Sequence, residues 1–256
     1  MAIETIPEDI ASTYEIHEWR HAWAILATDF PEEFNDLISV LRDFRLKSSY
    51  IIVGGGNKGP IAKALDGRLG QLGWRTKNFD TKVVLDGAPL DSPTHEIDCF
   101  KGKVALEIEW NNKDPFFDRD LNNFRLLFEL RAISVGVIIT RCTHLHERTF
   151  KPLPYDVRKK YGASTTHMDK LLPKLHGGGG GGCPIIVIGI GERQWEEDIP
   201  MVEAAAVFKH VKAIKAANKG KKPKDRVIPK EMLVLNGRDL SSMLGVLREE
   251  NMEDEE

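Results

Sequence analysis

Apolar residues change their spacing several times between residues 94 and 140, and each change predicts a different element. The stretches 94–100 and 103–110 mix apolar and acidic residues over strand lengths and meet at Lys101-Gly102-Lys103, which predicts a hairpin. From about Phe116 to Arg131 the residues Phe117, Leu121, Phe124, Leu127, Phe128 and Leu130 recur at helical spacing and give a broad apolar face. ISVGVIIT at 133–140 is unbroken and β-branched, as a strand buried on both faces should be, and CPIIVIGIG at 183–191 repeats the pattern.

The flanking regions are more varied. Residues 17–46 read as two helices, HEWRHAWAILAT and PEEFNDLISVLRDFRL, the second with Pro31 in its first turn and Phe34, Leu37, Ile38 and Leu41 on one face. Pro60 opens a third amphipathic helix, and TKVVLD within 79–92 predicts a strand before a turn around Gly87 to Pro93. Residues 142–166 are polar and predict a long loop. Helices are expected at 167–175 and near 198–217, a short strand at 231–235, and a last helix from Asp239. The run Gly177–Gly182 reads as a mobile connector. The organisation expected is a single domain over 1–248, with a helical part at 1–78, a core at about 79–191 and an acidic tail at 249–256.

Composition excludes little beyond disorder and membrane spans. Hydrophobic residues make up 41% of the chain and charged residues 29%, the balance of an ordinary globular protein. The first residues, MAIETIPEDI, lack a basic segment followed by an apolar core, so a cytoplasmic location is expected. Cys99, Cys142 and Cys183 are widely spaced in or beside apolar runs and read as buried reduced thiols, and His144-x-His146 reads as loop. The net charge of −3 conceals six acids within Glu249–Glu256, so the rest of the chain is mildly basic and compatible with a nucleic-acid ligand.

The candidate chemistry lies in the hairpin. Glu107 and Glu109, two residues apart, share one face of their strand, and the turn folds that strand back beside Asp98. Carboxylates gathered this closely need protons or a divalent cation, and an all-oxygen set favours Mg2+. The same spacing also suits the wet face of an amphipathic strand. Glycine clusters at Gly54–Gly56 and Gly189-x-Gly191 do not complete a phosphate loop. Lys58 is followed by Gly59 and Pro60, and the second cluster lacks a third glycine.

An acid on one strand and E-x-E on the next resembles the PD-(D/E)xK nuclease core, with Glu109 where most of that superfamily has lysine. The departure resembles the type II restriction endonucleases typified by BamHI, BglII and BstYI. The likeness runs from about Thr94 to Ile190, including the step from Asp98 to Glu107, the polar Asn111-Asn112-Lys113, SVGVIIT, KYGASTTHMDKLLPKL and CPIIVIGIG. It implies an α/β, restriction-endonuclease-like fold in which a mixed central sheet is flanked by helices. It also implies Mg2+-dependent cleavage of double-stranded DNA at a short palindrome, GATC-centred, by a homodimer paired with a cognate methyltransferase. Asp98, Glu107 and the Ile108 carbonyl would hold the metal, and Glu109 would orient or deprotonate the water. Asn111, Asn112 and Lys113, with Ser164, Thr165, Thr166 and His167, would meet the DNA. Turn chemistry at Asn111-Asn112, and a helix cap at Thr166 with Asp169, are the plainer roles for those residues. The alternatives are a repair or structure-specific nuclease on the same core, and a nucleotide-binding regulatory protein built on the glycine clusters. The helix at 116–131 is the expected partner surface.

Overall fold

A computed structural model of the chain describes residues 6–53, 59–91, 95–218, 228 and 234–240. The chain runs through α1 (Glu8–Ala11), β1 (Glu15–Trp19), α2 (Ala22–Asp29), α3 (Pro31–Asp43), β2 (Leu46–Lys47), α4 (Ser48–Val53) and α5 (Pro60–Gln71). Next come β3 (Arg75–Lys77), β4 (Lys82–Leu85), β5 (Ala88–Asp91), β6 (Ile97–Lys101), β7 (Val104–Ile108), α6 (Pro115–Glu129) and β8 (Val135–Arg141). The remainder is α7 (His144–Glu147), α8 (Tyr155–Arg158), α9 (Met168–His176), β9 (Ile185–Ile190), β10 (Trp195–Glu196), α10 (Ala204–Ala217), β11 (Val234–Leu235) and β12 (Arg238–Asp239).

The unbroken apolar runs become the centre of a six-stranded sheet of order β1-β9-β8-β7-β6-β3. β7, β8 and β9 pair in parallel because helical crossovers separate them, while the tight turn at Gly102 makes β6 antiparallel to β7. Every residue of β7, β8 and β9 is buried, as expected of strands covered on both sides. One face, with Leu106, Val137, Ile139, Ile186 and Ile188, packs in the core shared with α2 to α5. The other, with Ala105, Ile138, Ile185 and Val187, meets Phe117, Leu121, Phe124 and Leu127 of α6 and Leu171 and Leu175 of α9. Gly136 admits α6 this closely, since a Cβ there would stand 2.4 Å from a ring carbon of Phe124.

Several expectations change. The segment HEWRHAWAILAT is a strand followed by a helix, because Glu15–Trp19 pairs antiparallel with Ile185–Gly189 and the left-handed Arg20 and His21 break the chain before α2. Tertiary pairing overrides local spacing there. The 142–166 loop contains α7 and α8, anchored by buried Leu145, Phe150, Leu153 and Val157. Gly177–Gly182 is a bonded turn rather than a loose connector: Gly177 and Gly178 continue the backbone bonding of α9, and the Gly181 carbonyl accepts from the Trp19 and Arg20 side chains. α10 begins at Ala204 rather than near 198, since the Ile199 N–H is taken by Ser48 and the Met201 N–H by Glu197.

Asp239 closes a hairpin around Asn236 and Gly237, both with positive φ, so no helix starts there. Gly189 lies inside β9, and no long helix opens after Gly191, so this cluster is not a dinucleotide loop. Gly54–Gly56, the acidic tail and the residues after Leu240 lie outside the described residues. On α6 the apolar residues Phe117, Leu121, Phe124 and Leu127 are spent on the core of the chain itself. On α6 itself Phe116 is the exposed large apolar residue, Leu126 and Phe128 are half-buried, and Leu130 is exposed just past its end, so no continuous exposed apolar stripe is left for a partner. Among the described residues no helix is long and apolar enough to cross a membrane.

Candidate active site

The hairpin does what its spacing requires. Cys99 lies opposite Leu106 and Phe100 opposite Ala105, so the next step outward sets Asp98 beside Glu107. The Asp98 N–H points to Glu107 Oε2 at 3.4 Å, and the Ile108 N–H donates to Asp98 Oδ2 at 3.0 Å. The Glu109 N–H donates to the Ile139 carbonyl on the β8 side, which leaves the backbone groups of Ile108 turned toward β6.

Glu107 and Glu109 are 1% and 2% exposed, so they are not the wet face of an amphipathic strand. Both point to the α6 side, where a fourth carboxylate, Asp120, is wholly buried. Arg119 Nη2 lies 3.3 Å from Glu109 Oε1 and 2.8 Å from Asp120 Oδ1, and the Asn112 amide donates to Glu109 Oε2 at 2.9 Å. Glu107 Oε1 and Asp120 Oδ2 are buried without a hydrogen-bond partner.

Burial, reinforced by the charges of Asp120 and Asp98, holds the Glu107 carboxyl well above the ordinary carboxylate range. Burial and Asp120 push Glu109 up to about 9 against the opposing pull of Asn112 and Arg119. Asp120 rises to about 6 by burial, restrained by Arg119. A buried acid cluster of this kind holds protons until a cation replaces them. Arg119 and Asp120 are absent from the residues read off the sequence. The signal was present: Asp120 falls three residues after Phe117 and four before Phe124, in the apolar stripe of α6, where a carboxylate has no structural reason to be.

The two segments expected to meet DNA are brought together. Lys113 and Thr165 form an isolated antiparallel bridge, the Asp114 N–H donates to the Ser164 carbonyl at 3.2 Å, and the Thr166 N–H donates to the Asn112 carbonyl at 2.8 Å. Lys113 and Ser164 are exposed, whereas Thr166 and His167 are buried. Asn111 adopts φ +65°, the left-handed turn conformation Asn tolerates, and its Oδ1 is buried without a partner. Thr166 does not cap α9. Its hydroxyl accepts from the Asn112 N–H, while the Asp169 N–H is met by Thr143 Oγ1 at 3.1 Å, the same hydroxyl that lies 3.0 Å from His167 Nδ1. Buried Arg141 donates to Thr165 Oγ1 at 2.8 Å from beneath.

A family model described as restriction endonuclease BglII/BglIII matches residues 14–190, a span that takes in every strand of the six-stranded sheet. No curated protein matches the chain.

Proposed function

The chain belongs to the BglII/BglIII family of restriction endonucleases, and we propose on that premise that it hydrolyses double-stranded DNA at a short palindromic site with Mg2+ as its cofactor. The family makes it a type II, site-specific deoxyribonuclease whose partner is double-stranded DNA, in a class that usually works with a divalent metal. The observation that carries the finer reading is the pairing of Asp98 with Glu107 across the β6–β7 hairpin.

The residues fit a hard cation. Glu107 Oε1 lacks a protein partner, Asp98 stands beside it half-buried, and the donors are all oxygen, as Mg2+ prefers. Asp98, Glu107 and the Ile108 carbonyl would hold the ion. When bound, such an ion stabilises charge on phosphate oxygens and lowers the pKa of coordinated water. Glu109, held by Asn112 and Arg119, orients the attacking water or accepts its proton. Arg119 offsets charge where the carboxylates meet an anionic backbone.

Asn111, Asn112, Lys113 and Ser164 are the groups for base and phosphate contact, since amides pair with adenine and a lysine with guanine. Thr165, Thr166 and His167 carry that segment, fixed by Arg141, Asn112 and Thr143. A palindrome presents two scissile bonds, so a homodimer supplies one Asp98–Glu107–Glu109 site per strand. A cognate methyltransferase would protect host DNA in the same cytoplasm.

Incubating the purified protein with Mg2+ and a plasmid of known sequence tests the reading. Discrete double-strand fragments are expected. Cutting confined to flaps, gaps or single strands would instead make it a structure-specific nuclease.

A further inference from the structure

The same edge of the sheet carries a second group of donors that the nuclease reading does not use. Glu15 on β1, Cys142 just past β8 and His144 on α7 bring a carboxylate oxygen, a thiol sulfur and an imidazole nitrogen within 4.8 Å of one another. Topology explains the meeting. Gly189 of β9 pairs with Glu15 on one side and with Thr140 on the other, so the start of β1 and the end of β8 flank a single residue.

That residue is a glycine for a visible reason. A Cβ at Gly189 would stand 2.8 Å from Cys142 Sγ and 3.2 Å from Glu15 Cβ. At Gly191 it would stand 3.6 Å from the same sulfur and 3.5 Å from His144 Nε2. Gly189, whose Cβ would also stand 2.6 Å from the Met168 methyl, therefore clears the space around the sulfur, while Gly191 lies in ordinary contact with the sulfur and the ring nitrogen. His17, two residues along β1 from Glu15, lies 3.0 Å from Glu15 Oε1 and orients that carboxylate, as partners behind metal ligands do. Cys142 is buried while Glu15 and His144 are partly exposed, which leaves an approach from solvent.

We propose that Glu15, Cys142 and His144 form a binding site for a zinc-type divalent ion, separate from the all-oxygen cluster at Asp98 and Glu107. Sulfur, nitrogen and one carboxylate suit Zn2+ and not Mg2+. Tetrahedral bonds of about 2.0–2.3 Å place donors about 3.5 Å apart, a modest tightening of the present group by the two partly exposed side chains. Three protein ligands leave the fourth position to water. The consequence reaches the DNA-facing segment through Thr143, which lies between two of the ligands and whose hydroxyl holds both the Asp169 N–H and His167. The ion ties the first strand of the sheet to the turn that positions residues 164–167.

The test uses the full-length protein stripped of metal, with Co2+ as the probe and excess Mg2+ present to occupy the oxygen site. One equivalent of Co2+ should produce a near-ultraviolet thiolate-to-cobalt band, and Zn2+ should displace it while raising the melting temperature. Cys142→Ser should abolish the band. His144→Ala and Glu15→Gln should each weaken uptake by at least about tenfold, and His17→Ala by about tenfold. His144 is partly exposed, so its variant keeps the test alive if the Cys142 variant fails to fold. No band at stoichiometric Co2+, a band that survives in Cys142→Ser, or uptake indifferent to His144→Ala would each overturn the site.

Discussion

Asn112 donates its side-chain amide to Glu109 Oε2, 2.9 Å away, so a residue of the expected base-reading turn also fixes the carboxylate expected to handle water. Asn112→Ala should therefore change two quantities at once. Discrimination between the cognate site and a one-mismatch site should fall by about 1–3 kcal/mol, the worth of one bidentate base contact. The cognate cleavage rate should fall as well. Competition digests of cognate and mismatched duplexes measure both, and a slower enzyme of unchanged selectivity would restrict Asn112 to holding Glu109.

Asp98→Ala and Glu107→Gln should each slow cleavage by roughly 10³-fold or more, the scale of several kcal/mol of lost charge stabilisation. Thermal melts should show both variants folded: Glu107→Gln keeps stability because it leaves an uncharged group in the acid cluster, and Asp98→Ala loses at most about 1–3 kcal/mol with the acceptor of the Ile108 N–H. Gel-shift binding in metal-free buffer should persist. Metal-dependent cutting that survives either substitution would move the site elsewhere.

The buried carboxylates predict an unusual pH dependence for the metal-free protein. Burial and Asp120 push Glu109 from its ordinary 4.5 up to about 9, so the fold favours its protonated form. That contribution to stability is fully present below about 4.5 and is lost as pH rises through about 9. Melting temperature in chelator should fall from pH 5 to pH 9, and Glu109→Gln should make the fall shallower. An identical slope in the variant would show that Glu109 ionises normally.

Asp120 sets the field for its neighbours, since its charge raises both Glu107 and Glu109. Asp120→Asn should move the acid limb of the cleavage pH profile lower by about one unit. The unaltered Asp98 and Glu107 should keep the enzyme active. A profile that does not move would reduce Asp120 to an anchor for Arg119.

The assembly is testable by mass and product. Sedimentation with cognate DNA should give two chains per duplex, and early time points should contain linear product. A persistent monomer that accumulates nicks would exclude the two-fold arrangement. With α6 spent on the core, the exposed Phe116 in its first turn and Leu130 just past its end should tolerate Ala without loss of dimer.

The centre of the fold was legible because its residues leave one solution. ISVGVIIT and CPIIVIGIG can only be interior strands, and Lys101-Gly102-Lys103 can only turn. β1 was illegible, since Glu15–Trp19 is made a strand by its bonds to β9 and not by its own pattern. At the site, Asp98, Glu107 and Glu109 could be read from a two-residue period and one turn. Asp120 could not be read that way, because its partners lie across a helix–sheet contact. Its misplacement in an apolar stripe was the available clue. A cap at Thr166, the plainer role its sequence position offers, is not what the structure shows, because sequence displays only neighbours along the chain. The hydroxyl that meets the Asp169 N–H comes from Thr143, on another segment.

The pairing of Glu15 with Gly189 has a consequence for synthesis. The strand that closes one edge of the sheet, Glu15–Trp19, is made well before its partner Ile185–Ile190, which arrives only after most of the described chain has left the ribosome. At about 5–20 residues per second, β1 waits roughly 10–30 s for β9. During that interval the parallel neighbours of β7 are incomplete, and the long loop between the paired segments must still be closed. A nascent chain that ends before β9 thus carries the acidic hairpin of β6 and β7 without the full parallel platform beside it.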